Sequence, residues 1–227
     1  MPRVVKEDDY AARRNEILDV ARQLVYTKGF EQMSIQDILD VLKISKGAFY
    51  HYFDSKQALM DGLVERMLDE GKQTLFPILQ DSNLSALEKI QRYFNTAVVW
   101  KSAQKDFLLA LLPTWYSDDN VLLREKMISE GLKSIGPPLA QIIRQGVQDG
   151  TLSTHYPNQA FEMCFHLLQG LSDKMVEVIL ANPRPPDGLR SIKEDVEAYT
   201  DAMERILGAP AGSMKFLDSE SIRIWFE

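Results

Sequence analysis

A twelve-residue segment at positions 45–56 brings together the residue types that bind nucleic acids, and we call it the basic aromatic segment. On a helix, Lys46, Gly47, Tyr50 and His51 would share one face. Lysine supplies positive charge for phosphates, while tyrosine and histidine offer hydrogen bonds and flat faces to phosphates and base edges. A glycine lets the helix approach its partner closely. The segment therefore indicates DNA binding rather than catalysis.

Two short helices must position this segment. The apolar residues that follow Ser34 have the spacing of one buried helical stripe, and Ser34 with Asp37 forms a capping box. Ser45 caps the next helix, in which Phe49 and Phe53 form an inward-facing pair. Two short helices joined by a tight turn predict a helix-turn-helix, whose second helix enters the major groove of DNA.

These residues resemble the N-terminal domain of the TetR family of bacterial transcriptional regulators. The resemblance covers roughly residues 10–60, including a first helix that ends at Gly29 and Phe30. Lys43 stands where the family often has glycine, so we expect Lys43 in a left-handed conformation. The matching residues of the basic aromatic segment are Ser45, Lys46, Gly47, Ala48, Phe49, Tyr50, His51, Tyr52, Phe53 and Lys56.

The resemblance implies a role for each matching position, and the roles divide between phosphates and bases. The serine that opens the second helix would bind a phosphate, and a nearby glutamine would touch a base or a phosphate. A second basic group, Arg3, Lys6, Arg13 and Arg14, is either a phosphate-contacting arm or a solvated terminus. The predicted DNA-binding residues are Ser34, Gln36 and Ser45, then Lys46, Gly47, Ala48 and His51 at or near bases, and Tyr50, Tyr52 and Lys56 at phosphates.

Charge is distributed unevenly along the chain. The formal net charge is −7, but residues 1–60 hold nine basic and nine acidic residues, so the acidic excess lies beyond residue 60. DNA binding requires local positive charge rather than a basic chain, and an acidic body can help to orient the molecule. The single cysteine, Cys164, excludes an internal disulfide framework and fits a reducing compartment. Because no basic, apolar leader opens the sequence, we expect a cytoplasmic protein.

Apolar periodicity predicts an all-α chain of about nine helices. A helix-turn-helix DNA-binding domain would occupy residues 1–55, and an effector-binding and dimerisation domain would occupy residues 56–227. The tail from Ser213 to Glu227 is too apolar to remain in solvent, so it should dock on the protein, at a place that the sequence does not define.

Several helix boundaries follow from local signals. Asp54 should begin the fourth helix, and the run from Phe107 to Leu112, apolar on all sides, should form a buried helix that Pro113 ends. Gly136-Pro137-Pro138 should interrupt a long seventh helix, because proline removes a donor and clashes with the preceding turn. The longest nearly apolar run of the chain, Phe107 to Pro113, is too short to span a bilayer, so we expect no membrane partner.

In the TetR family the last two long helices form a homodimer and the C-terminal domain holds a small-molecule pocket, so the resemblance implies both features here. A dimer would place two heads on half-sites about 34–36 Å apart. The eighth helix has a second stripe, Met163, Leu167, Gly170 and Lys174, beside its main one, so one stripe would pack in the core and the other would form the dimer contact; core packing of a monomer is the alternative. A small apolar or aromatic effector would suit the candidate pocket residues, although core packing explains them as well. These residues are Trp100, Phe107, Trp115, Tyr116, Met127, Phe165 and His166, the last being the polar one.

The sequence contains no phosphate loop, nucleophile elbow, dinucleotide fingerprint or paired-carboxylate pattern, so we expect no enzymatic activity and no cofactor. Cys164 and His166 would face different sides of a helix, so we expect no metal site. The leading hypothesis is a ligand-responsive repressor released from a pseudo-palindromic operator. The alternative is an architectural or protein-interaction DNA-binding factor without an effector. A third hypothesis, a helical enzyme carrying a DNA-binding head, lacks catalytic residues.

Overall fold

The computed structural model describes the backbone of residues 3–226 and the side chains of residues 8–226. This range is all-helical, as the sequence predicts, and no helix in it combines the length and apolar content needed to cross a membrane. A 3-10 turn, Asp118–Asn120, follows the sixth helix. The α-helices are α1 (Arg3–Lys28), α2 (Ile35–Leu42), α3 (Lys46–Tyr50), α4 (Lys56–Gln80), α5 (Ala86–Ser102), α6 (Lys105–Trp115), α7 (Val121–Asp149), α8 (Pro157–Leu180), α9 (Gly188–Leu207) and α10 (Ser219–Arg223).

The chain divides into two compact units. The first contains the residues up to Glu70 together with Asp106–Leu123, and the second contains Gly71–Lys105 together with the residues from Arg124 onward. Helix α4 therefore contributes residues to both units. The predicted boundary between residues 55 and 56 separates a DNA-binding domain from an effector-binding and dimerisation domain. It is a division by function, which the compact units do not test, so it stays a prediction.

The core of the first unit holds α1, α3 and α4 together. Leu18 of α1, Phe49 of α3 and Leu59 of α4 are fully buried. Gly62 of α4 permits a close helix approach, because a Cβ there would lie 3.0 Å from the ring of Phe53 and 3.3 Å from Leu18. The predicted inward-facing phenylalanine pair is thus confirmed, since Phe49 and Phe53 are both buried.

A side-chain capping box fixes the start of α2 and a left-handed residue closes its end, as the sequence predicts. The Ser34 Oγ accepts the Asp37 N–H at 3.2 Å, and the Asp37 carboxylate accepts the Ser34 N–H at 2.7 Å. The Lys28 Nζ lies 2.7 Å from the Asp37 Oδ1, which ties the end of α1 to the start of α2. Helix α2 ends at Lys43 in the predicted left-handed conformation, with φ 52° and ψ 43°.

Two predictions about proline are wrong. Pro113 lies inside α6, and α7 continues through Pro137 and Pro138 without a break. Each proline removes one backbone donor and crowds the preceding turn, which costs helix stability but does not end either helix here. In α7 the helix is supported by packing, since a Cβ at the buried Gly136 would lie only 3.2 Å from the Phe161 ring.

Two smaller expectations also need correction. Helix α6 is only partly buried, because Phe107 and Leu111 are buried while the leucines between them are half-buried. The two buried residues are four positions apart, about one helical turn, so α6 has one buried face rather than burial on all sides. Helix α4 begins at Lys56 rather than Asp54, because the Ser55 Oγ accepts the N–H of Ala58 at 2.9 Å.

The C-terminal tail docks, as predicted, and the structure places it on the second unit. Met214, Phe216 and Ile222 are buried. The carboxylate of Glu204, itself buried in α9, accepts two backbone N–H groups of the tail at 2.8 Å each. The ring of Phe216 packs on that of Phe94 in α5, with centroids 4.3 Å apart. The tail is therefore an integral part of the second unit.

Replacing Lys43 with glycine should stabilise the protein. The left-handed conformation costs a non-glycine residue roughly 1–2 kcal/mol, and the greater freedom of glycine in the unfolded chain offsets about 0.5–1 kcal/mol of this. We expect a net gain of roughly 0.5–1 kcal/mol in the free energy of unfolding, measured by urea denaturation. Lys43→Ala keeps the strain and is the matched control. Equal stabilisation by both variants would assign the effect to charge instead.

The Asp37 carboxylate should make stability depend on acid pH. Hydrogen bonds from Lys28, then from Ser34, hold the pKa of Asp37 well below its usual range. A depressed carboxyl pKa contributes stability that is fully present above the unfolded pKa, about 4, and is lost as the pH falls below it. Asp37→Asn should therefore be less stable than wild type at pH 7, and the difference should narrow below about pH 4.

Denaturation measured from pH 7 to pH 2.5 tests this expectation. Lys28→Gln removes the first partner of Asp37 and should weaken the same acid dependence. A difference between wild type and Asp37→Asn that stays constant over the whole pH range would contradict it.

Candidate nucleic-acid interface

Helix α3 opens the basic aromatic segment and separates it into an inner and an outer side. The Ser45 Oγ accepts the N–H of Ala48 at 3.2 Å and so caps the helix. Phe49 is fully buried, whereas Ala48 is half-buried. Five of the predicted DNA-binding residues are exposed together on or next to this helix: Ser45, Lys46, Gly47, Tyr50 and His51.

Gly47 is not required by the packing of the protein itself. A Cβ at this position would meet a single atom within 4 Å, the Ser45 Oγ at 3.9 Å. Its neighbour Lys46 places its Nζ 5.9 Å from the ring centroid of Tyr50, which groups a cation and a phenol on the exposed side. The absence of a side chain at Gly47 therefore leaves space at the surface of α3 that a bound partner could occupy.

The side chains of Ser34 and Gln36, at the start of α2, already make hydrogen bonds within the chain. The exposed Ser34 hydroxyl donates to the Asp37 Oδ2 at 2.7 Å while it caps the helix. The exposed Gln36 donates its Nε2 to the Asp40 Oδ1 at 2.7 Å. A phosphate at Ser34 would have to compete with the carboxylate of Asp37, so this predicted role requires a rearrangement.

Lys56 is held at the loop between α1 and α2. Its Nζ donates to the backbone oxygen of Glu31 at 3.0 Å and lies 4.8 Å from the ring centroid of Phe30. Partial burial lowers the pKa of Lys56 from its usual value. An ammonium has three donors, so this bond leaves others for a phosphate.

Tyr10 of α1 is a neighbour of the segment that sequence reasoning missed. Its ring packs on Tyr52 with centroids 4.8 Å apart, and it meets His51 edge-on at 5.6 Å. Forty-one positions separate Tyr10 from His51, so no local spacing signals the contact. The predicted residue Tyr52 is half-buried by this arrangement.

The predicted basic arm is only partly described. Arg13 pairs with Glu16 on the same helix, and the Arg14 guanidinium lies 3.7 Å from the Glu65 carboxylate and 5.0 Å from the centroid of the Phe53 ring. Both arginines are therefore engaged within the first unit. The side chains of Arg3 and Lys6 lie outside the described residues.

The predicted pocket residues are distributed over both units. The first unit contains the buried Phe107, beneath the Arg22 guanidinium at 5.1 Å, and the half-buried Trp115 and Tyr116. The second unit contains the other four. They are the half-buried Trp100, close to Gly71 of α4, the half-buried Met127, and the neighbouring rings of Phe165 and His166 on α8, of which His166 is exposed.

Two further features of the second unit bear on ligand chemistry. Burial raises the pKa of Cys164 to about 12, so this thiol is protonated at neutral pH. A cleft of about 270 Å³ lies between α8 and α9, beside the ion pair of Lys174 and Asp195 at 2.7 Å. None of the predicted pocket residues lines this cleft.

Comparisons with known sequences converge on the first unit. A sequence model of the bacterial regulatory proteins of the tetR family matches residues 17–63. The HTH-type transcriptional repressor KstR2 of Rhodococcus jostii is 37% identical over 60 residues, which are 26% of this chain and 29% of that protein. The HTH-type transcriptional repressor NemR of Escherichia coli K12 is 32% identical over 81 residues, 36% of this chain and 41% of that protein. The matches thus span less than half of these relatives.

Solved structures extend the likeness over most of the chain. The reduced form of E. coli NemR superposes with a TM-score of 0.55 at 22% identity, covering 87% of this chain and 99% of that one. A TetR transcription regulator from Haloarcula marismortui gives a TM-score of 0.65 at 16% identity, covering 85% and 98%. At these identities the structures establish the fold. Residues 17–63 therefore match the N-terminal domain of the tetR family of bacterial regulatory proteins, and the chain has the fold of the solved TetR regulators.

Proposed function

We propose that this protein is a cytoplasmic transcriptional repressor that binds a pseudo-palindromic DNA operator as a homodimer and is released by a small apolar or aromatic effector. The exposed side of α3 carries the proposal, because it presents a cation, a glycine that packing does not require and two polar aromatic rings. The relatives KstR2 and NemR are both named transcriptional repressors. These relatives favour regulation over catalysis.

DNA recognition would combine contacts to phosphates with contacts to base edges. Lys46 and Lys56 supply cations for phosphates, and Tyr50 and Tyr52 add phenol donors. The exposed His51 lies next to Gly47 and would meet base edges in the major groove. Because the first sixty residues sum to zero charge, affinity would depend on these few placed cations rather than on a basic domain.

The homodimer would form through α8 and α9. Met163 of the predicted stripe is 53% exposed, whereas Gly170 and Lys174 face Tyr199 and Asp195 of the same chain. Two-fold symmetry would place two copies of α3 on half-sites one DNA turn apart.

An effector would act by shifting the equilibrium between two conformations of the dimer. A ligand that favours the conformation unable to bind DNA by a few kcal/mol is sufficient to release an operator. Helix α4 supports such coupling, because it runs without interruption from the residues of the first unit into those of the second. The alternative, an architectural or protein-interaction factor without an effector, predicts that no small molecule releases the DNA.

Loss of the cation or the phenol on α3 should abolish operator binding. We expect wild-type protein to bind the DNA upstream of its own gene, or a site selected from random DNA, about 10³-fold more tightly than a scrambled sequence. Lys46→Ala and Tyr50→Ala should each remove this preference while light scattering still detects the dimer. The measurement is fluorescence anisotropy at several salt concentrations.

Lys133→Ala is the matched control, since this exposed lysine of α7 pairs with Glu130 in the second unit. It should bind like wild type. Unchanged operator affinity in both Lys46→Ala and Tyr50→Ala would contradict the proposed interface, whereas release of the DNA by a small molecule would support the effector.

A methyl group added at Gly47 should separate stability from DNA binding. Gly47→Ala should raise the free energy of unfolding by up to about 1 kcal/mol, because alanine is the better helix former and the new Cβ has room. The same methyl group should weaken operator binding by about tenfold, because it lies where DNA approaches. Urea denaturation and anisotropy measure the two effects.

Gly131→Ala provides the control, because a Cβ at this helical glycine of α7 would meet no described atom within 4 Å and so has at least as much room as at Gly47. It should be stabilised similarly and bind DNA normally. Operator affinity that is equal in the two variants would place Gly47 outside the interface.

A further inference from the structure

Three aromatic rings from two distant parts of the sequence contact one another in the first unit. The Tyr10 and Tyr52 rings are 4.8 Å apart, the Tyr10 and His51 rings 5.6 Å, and the His51 and Tyr52 rings 5.0 Å, measured between centroids. Both contacts of His51 are edge-to-face, with interplanar angles of 81° and 79°. We call these three residues the ring triangle.

Two members of the ring triangle, His51 and Tyr52, follow the last residue of α3 and so lie outside the regular helix. The regular helix ends at Tyr50, His51 is its C-cap, and Tyr52 follows in a turn. Backbone bonds continue for three residues beyond the helix: the His51 N–H donates to the Gly47 oxygen, and the N–H groups of Tyr52 and Phe53 donate to the Phe49 oxygen. The rotamers of both side chains therefore depend on what their rings contact, and Tyr10 is the contact supplied from another helix.

We propose that Tyr10 is a positioning residue for DNA recognition, whose ring fixes the His51 and Tyr52 side chains in one arrangement before DNA is bound. The inference rests on the proposed function, because it assigns these two side chains to the DNA interface. An interface group that is already ordered loses less conformational entropy on binding. Specific recognition gains most, because base edges accept only a narrow range of side-chain orientations.

The ring of Tyr10, not its hydroxyl, carries this role. The contacts to His51 and Tyr52 are between ring centroids, and phenylalanine would preserve both. A tyrosine that bound a phosphate directly would instead need its hydroxyl. Tyr10→Phe and Tyr10→Leu therefore separate the two roles, and Tyr10 is 39% exposed, so neither change opens a buried cavity.

The test combines operator affinity with the environment of His51. Tyr10→Leu should weaken binding to the operator by about threefold to tenfold, with a smaller loss on scrambled DNA, and Tyr10→Phe should bind within twofold of wild type. In NMR spectra the ring C–H signals of His51, identified by their loss in His51→Gln, should move in Tyr10→Leu and stay in Tyr10→Phe. The chain has only three histidines, so these signals are few.

Tyr26→Leu is the matched control, because Tyr26 is an exposed tyrosine on the same helix, sixteen positions further on. It should leave affinity and the His51 signals unchanged. Wild-type affinity in Tyr10→Leu would overturn the positioning role, and a loss in Tyr10→Phe as large as in Tyr10→Leu would replace it with a direct hydroxyl contact. Failure of the proposed function is distinct, since wild-type protein would then not prefer the operator over scrambled DNA.

Discussion

The outer side of α3 depends on the burial of two phenylalanines. A helix of five residues is unstable alone, because nucleation costs more than its few hydrogen bonds return. Phe49 and Phe53 are buried with their ring centroids 5.9 Å apart, so the same burial that stabilises the first unit holds α3 in place. With the inner side fixed, Lys46, Gly47 and Tyr50 have one defined outward direction.

The turn before α3 sets that direction. The N–H groups of Lys43 and Ile44 both donate to the Leu39 oxygen, which closes α2. The left-handed Lys43 reverses the chain immediately, and Ser45 begins the next helix two residues later. The angle between α2 and α3 is thus determined by a few backbone dihedrals rather than by a flexible loop. Lys43 adopts the left-handed conformation there although it is not a glycine, so the turn contains backbone strain.

Local signals predicted features that depend on neighbouring residues well, and features that depend on contacts between distant residues less well. The caps at Ser34 and Ser45, the left-handed Lys43 and the buried phenylalanines all follow from residues within a few positions of one another. The continuity of α7 through Pro137 and Pro138 depends on packing between helices, and so does the position of Tyr10 beside His51. Sequence periodicity contains neither kind of information.

Two glycines in the first unit separate the requirements of the fold from those of binding. Gly62 is required by packing, because a Cβ there would come within 3.0 Å of the Phe53 ring. Gly47 has no such neighbour, and a glycine in a helix lowers stability relative to alanine. A residue that costs stability and is not explained by internal contacts points to an external partner. The small size of Gly47, between Lys46 and the exposed Tyr50, is what the proposed approach of DNA to α3 requires.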